Sequence, residues 1–182
     1  MSPDGQFKWD GERWAPLARG YREPTSWTRP LQLVTAAYLV LGVLYSIITT
    51  ALFLNTATIE RTVRASGTGL SGEQVQQAAN FSVAIGWVVL AVLAVISLLL
   101  AAGSFLGWRW AFWVTLVWLG LNSVGILSNL NAIVHAENQP LPVGVLVGSL
   151  ILSAIALAIF AWCLTAAIRY GPWAMRKPGT DT

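Results

Sequence analysis

The chain has 182 residues, of which 55% are hydrophobic and only 10% charged, with a formal net charge of +3 and a mean hydropathy of +0.62. A water-soluble domain of this size needs roughly a quarter of its residues charged, so the composition points to lipid as the solvent. A single cysteine, Cys163, excludes an internal disulfide.

In chain order, the first element is in "QFKWDGERWAPL", residues 6–16 and the Leu that follows. Asp10-Gly11 is a preferred pair for a two-residue β-hairpin turn. That turn predicts Trp9 opposite Glu12, Lys8 opposite Arg13 and Phe7 opposite Trp14. Alternation then gathers Phe7, Trp9 and Trp14 on one face and Lys8 and Arg13 on the other. Such a ribbon is marginal by itself, which makes Phe7, Trp9, Asp10, Gly11 and Trp14 a candidate docking hairpin for lipid or protein.

Four charge-free windows follow. Arg29 and Glu60 are separated by 30 residues without Asp, Glu, Lys or Arg, Glu73 and Arg109 by 35, Arg109 and Glu137 by 27, and Glu137 and Arg169 by 31. A helix crosses a hydrocarbon core of about 30 Å with about 20 residues. Four spans are therefore predicted, over about 31–54, 81–105, 109–133 and 141–169. The turn "GSFLGWR" and the loop "HAENQP" are too short for anything but antiparallel neighbours. The expected fold is an all-α membrane protein, an up-down-up-down four-helix transmembrane bundle with a short N-terminal β-hairpin. Residues 1–28 form the N-terminal segment, 29–171 the transmembrane domain and 172–182 a tail.

Between spans one and two, residues 55–80 read as a helical extension beyond the membrane. "TIERTVRAS" follows the first span without a breaker, "GTG" is a turn, and Ser71 with Gln74 makes a capping box. Ile59, Val63, Val75 and Ala79 would form the seam of this hairpin. At the end of span four, "RYGP" carries stop signals: Gly171 permits a left-handed cap and Pro172 blocks continuation.

Nine of the eleven basic residues fall on the side of the two termini and two, Arg61 and Arg64, on the other. The positive-inside rule then places both termini in the cytoplasm. Trp27, Trp108, Trp110 and Trp173 all fall near that interface, where amphipathic rings prefer to sit. The basic residues are spread over three segments and offset by acids, so anionic lipid accounts for them and nucleic acid is not expected.

Apart from Arg109 and Arg169 at their very ends, the spans contain no Asp, Glu, Lys or Arg, against a proton-coupled mechanism. His135 is the only histidine, too few for a metal site. No Ser-His-Asp set, HExxH or glycine-rich phosphate loop is present, so neither an enzyme nor a cofactor is expected. The most polar intramembrane face is in span three, where Asn122, Gly125 and Asn129 share a side with Thr115 one heptad earlier. It fits interhelical hydrogen bonding or a polar pathway. Span four has Gly144 and Gly148 in a GxxxG pattern, then Ala154, Ala158, Ala161 and Thr165, suited to packing within the bundle or between subunits.

"WDGERW" resembles the second half of a short tryptophan-rich module with a W-D-G-x-x-W core, found at the cytoplasmic N-termini of many bacterial membrane proteins. "GWRWAFWV" at 107–114 resembles a Gly-x-x-Trp-Ala-Arg turn of small bacterial four-span proteins, with Phe112 in place of the arginine. The resemblance covers under a fifth of the chain and implies a bacterial plasma-membrane location and no activity. The expected role is an accessory or scaffold protein docking another membrane protein or a further copy of itself. The rival is a small transporter or channel component using the Asn122–Asn129 face.

Overall fold

The computed structural model of the chain describes residues 7–9, 11–16, 22–65, 67, 69, 71–135 and 141–177. Strands β1 (Phe7–Trp9) and β2 (Trp14–Pro16) form a hairpin, and β3 (Glu23–Pro24) leads into helix α1 (Thr28–Phe53). Helices α2 (Thr56–Ala65), α3 (Gly72–Phe105), α4 (Arg109–Val134) and α5 (Val143–Arg169) follow, then a single 3-10 turn, Pro172–Ala174, and strand β4 (Met175–Arg176). Helices α1, α3, α4 and α5 are each long and apolar enough to cross a membrane. The protein is an all-α, multi-pass membrane protein built as a four-helix bundle.

Helix ends follow local chemistry. Ser71 caps α3: its hydroxyl accepts from the Gln74 amide at 3.4 Å, while Gln74 Oε1 accepts from the Ser71 amide at 2.9 Å. Gly107, at φ 73°, ends α3. There the Trp108 amide donates to the Gly103 carbonyl at 2.8 Å and the Gly107 amide to Ser104 at 3.1 Å, the paired bonds of a Schellman cap. This cap reverses the chain in three residues.

The extension over 55–80 differs from a continuous first helix. α1 stops at Phe53, and Asn55 restarts the chain: its Oδ1 accepts from the Thr58 amide at 2.9 Å and from the Thr58 hydroxyl at 3.0 Å. Asn competes for backbone donors in this way and so favours caps over helix interiors. α2 then lies on the early part of α3, with Val75 and Ala79 buried and Ile59 and Val63 half-buried. Ten residues of α2 rise by about 15 Å.

The N-terminal hairpin pairs Phe7 with Pro16, Lys8 with Ala15 and Trp9 with Trp14. This corrects the expected two-residue loop, because four residues separate the strands. The slip is an even number of residues, so Phe7, Trp9 and Trp14 still share a face. It brings the two indoles edge to face, with ring centroids 5.6 Å apart. Such aromatic pairs stabilise by about 0.5–1.5 kcal/mol beyond their burial. Asp10 lies outside the described residues.

The four long helices associate as two pairs, α1 with α3 and α4 with α5. Their buried side chains concentrate at one end. They run from Thr28 to Val43 in α1, from Ser97 to Ser104 in α3 (with Val75 and Ala79 under α2), and from Ala111 to Leu119 in α4. In α5 they run from Ala156 to Ala166, with only Leu146 buried nearer the other end.

The segment after α5 seals that end, so the first residues of the expected tail fold back onto the bundle. Gly171, at φ 96°, turns the chain back over the bundle. Trp173 becomes fully buried, with its ring centroid 5.1 Å from that of Phe112, and its indole Nε1 donates to the Trp108 carbonyl at 2.8 Å. The Ala174 carbonyl accepts from the hydroxyls of Thr25 at 2.8 Å and Thr28 at 3.0 Å. β4 pairs antiparallel with β3, Arg22 donates to the Met175 carbonyl, and Glu23 meets Arg176 at 3.4 Å. Trp173 and Ala174 hold φ values of 57° and 54°, a left-handed conformation costing about 1–2 kcal/mol per residue. Indole burial and the paired threonine bonds offset that cost. Trp27 is half-buried against Trp162 and Tyr170, whereas Trp108 and Trp110 remain exposed, as an interfacial belt requires.

Candidate functional site

From the edge of the sealed end onward, the two helix pairs share a cavity of about 470 Å³. All four long helices line it. α1 contributes Tyr38, Tyr45 and Ser46, α3 contributes Ser97, α4 contributes Asn122, Ser128 and Asn129, and α5 contributes Ser149 and Ser153. Between these polar groups lie Leu39, Val43, Leu90, Leu93, Trp118, Leu121 and Leu152. No Asp, Glu, Lys, Arg or His lines it. The volume falls within the range of pockets that hold small organic molecules.

The helical period places these side chains. Asn122, Gly125 and Asn129 lie at i, i+3 and i+7 and therefore face the same way, here toward the cavity. Asn129 Nδ2 donates to Ser153 Oγ across the α4–α5 contact at 3.1 Å, and Asn122 Nδ2 donates to the Trp118 carbonyl at 2.8 Å. Gly125 makes room for this arrangement: a Cβ there would sit 3.3 Å from Ser153 Oγ. On the facing wall the Tyr45 hydroxyl donates to the Val145 carbonyl at 2.6 Å, 3.3 Å from Ser149 Oγ. This is the main polar tie between α1 and α5 within the cavity.

The site residues expected from sequence divide into three groups. Asn122 and Asn129 come together at the cavity. Thr115 does not join them; it is buried in the sealed half, and its hydroxyl has no hydrogen-bond partner. Gly148 packs tightly, since a Cβ there would lie 2.7 Å from the Tyr45 hydroxyl, whereas a Cβ on Gly144 would meet nothing within 4 Å. Phe7, Trp9, Gly11 and Trp14 belong to the separate hairpin, where Trp9 and Trp14 are about half exposed.

Sequence reading missed Tyr45, Ser149, Ser153 and Ser97. Ser149 and Ser153 stand at i, i+4 in α5, and this spacing repeats the polar face of α4; that was the available signal. His135 is exposed at the end of α4, its Nδ1 3.0 Å from the Asn131 carbonyl oxygen. Among the described residues no group of three or more His, Cys, Asp or Glu comes together. No family model matches the chain, and no curated protein or solved structure matches it.

Proposed function

We propose that this membrane protein works through its intramembrane cavity, holding a small uncharged molecule there as a transporter or transport component. The observation that carries this reading is that the Asn122–Asn129 face lines a cavity shared by all four long helices. Polar groups inside a bilayer commonly mark ligand or ion pathways, and the absence of charge from the lining favours a neutral cargo. The basic residues support an orientation with the sealed end in the cytoplasm and α2 on the opposite side. A bacterial plasma membrane is the location implied by the W-D-G-x-x-W resemblance.

Thiol accessibility tests the reading. Cys163, the only native cysteine, is 1% exposed and provides a quiet background. A Ser153→Cys variant in sealed vesicles is expected to react with a small membrane-permeant maleimide, at a rate well above that of Cys163. Protection of the new thiol in sealed vesicles and detergent alike would return the Asn face to a packing role and sink the transport reading.

A second reading, an accessory or scaffold protein, draws on a different surface. Gly144, Ala154, Ala158, Ala161 and Thr165 are all exposed along α5, and the hairpin indoles are half exposed. Small residues of this kind let another helix approach closely. Under that reading, Gly144→Leu reduces co-purification of a membrane partner or a second copy while leaving Ser153→Cys labelling unchanged.

A further inference from the structure

We propose that the cavity accepts an uncharged, hydroxyl-bearing amphiphile that enters sideways from the bilayer between α3 and α4. This rests on the reading of the cavity as a binding site and adds the class of ligand and its route. Exposure of the lining locates the mouth. Leu93 on α3 and Leu121, Asn122 and Ser128 on α4 are exposed, whereas every lining residue from α1 and α5 is buried or half-buried. The opening therefore lies on the α3–α4 side, at the height of lipid tails rather than at a helix end.

The chemistry of the wall selects the head group. Asn122 and Asn129 each use one end of the side-chain amide within the protein, and the other end has no partner among the described residues. Tyr38, Ser46 and Ser97 line the same cavity, and their hydroxyls also have no hydrogen-bond partner among the described residues. Ser97 is only 8% exposed. Polar groups held in hydrocarbon without a partner are costly, and the hydroxyl of a neutral head group can pair with more than one of them, because a hydroxyl both donates and accepts. A phosphate or ammonium would instead lose its hydration with no opposite charge to receive it. The leucines and Trp118 offer an apolar wall continuous with the mouth, where an acyl chain can lie while the head group turns inward.

A photoactivatable diacylglycerol in phosphatidylcholine proteoliposomes provides the probe. Adducts are expected in the peptides that contain residues 118–129 and 149–153. Asn122→Leu and Ser97→Ala should each reduce them by about three- to tenfold, the size expected for one intramembrane hydrogen bond. Equal labelling by photoactivatable phosphatidic acid would overturn the requirement for a neutral head group. Competition by soluble glycerol but not by unlabelled diacylglycerol would place the source in water and overturn the sideways route. Adducts spread around the outer helix faces and insensitive to both variants would overturn the site. Failure of the lipid probe with Ser153→Cys still reactive removes only the ligand class; loss of both removes the transport reading as well.

Discussion

The two halves of the bundle use the same four helices for opposite purposes. At the sealed end, α1, α4, α5 and the turn after α5 converge on Leu31, Phe112, Ile159 and Trp173, all buried, while α3 packs Leu100 and Ala101 against Leu39 of α1. Hydrogen bonds from Thr25, Thr28 and Trp173 tie the chain after α5 to the starts of α1 and α4. Arg29 adds a further tie, donating to the Phe105 carbonyl at 3.2 Å from above the Phe105 ring. In the other half few side chains are buried, and serine, tyrosine and asparagine stand among leucines around the cavity. In lipid, apolar surface has no reason to leave its solvent, so helix association depends on close packing and polar bonds. Where both are dense the bundle closes; where polar groups are present but packing is thin, a cavity remains.

The contrast can be broken most sharply at Trp173. Trp173→Ala removes the largest buried side chain of the sealed end and should cost about 3–5 kcal/mol, seen as a lower unfolding midpoint in detergent. Asn122→Leu in the open half should change the same midpoint by less than about 0.5 kcal/mol. Equal losses would mean that the halves do not differ in packing.

Glycine variants sharpen the comparison at a smaller scale. A Cβ on Gly103 would lie 2.6 Å from the Ala111 Cβ and 3.2 Å from the Trp108 ring, while one on Gly144 has open space. Gly103→Ala should therefore cost about 1–3 kcal/mol through overpacking, and Gly144→Ala should leave thermal stability unchanged. Tyr45→Phe removes the hydroxyl that bonds to Val145 and should cost about 0.5–1.5 kcal/mol; the same variant should speed Ser153→Cys labelling by loosening the α1–α5 wall. The smallest effect belongs to Glu23→Gln. Its partner Arg176 is partly exposed, and such ion pairs contribute about 0–1 kcal/mol. A larger loss in chemical denaturation would show that the β3–β4 pairing, and not the indole, holds the seal.

Much of this molecule is local in origin and so was legible from residues alone. Charge-free windows located α1, α3, α4 and α5 to within a few residues, apart from the early start of α3 over 72–80. Ser71 and Gln74 located that start, Gly171 located the stop of α5, and the parity of the hairpin kept Phe7, Trp9 and Trp14 together even though the loop length was misjudged. Asn122 and Asn129 could be placed on one face by their spacing. Whether that face met a cavity or a neighbour was beyond periodicity, because it depends on how the α1–α3 pair packs against the α4–α5 pair. The break at Asn55 was missed because a side-chain cap competed with a continuous helical pattern.

By itself, then, the sequence determined the solvent of this protein, its four spans, their antiparallel order and the polar stripe of α4. Each follows from composition or from an interaction within a few residues. Only the tertiary structure decided that Trp173 is buried, that Thr115 is separated from the two asparagines, and that Tyr45, Ser97, Ser149 and Ser153 join them. Those outcomes come from contacts between segments distant in the chain, such as Thr28 with Ala174 and Tyr45 with Val145. No local pattern encodes such contacts, because their geometry exists only once the helices have packed.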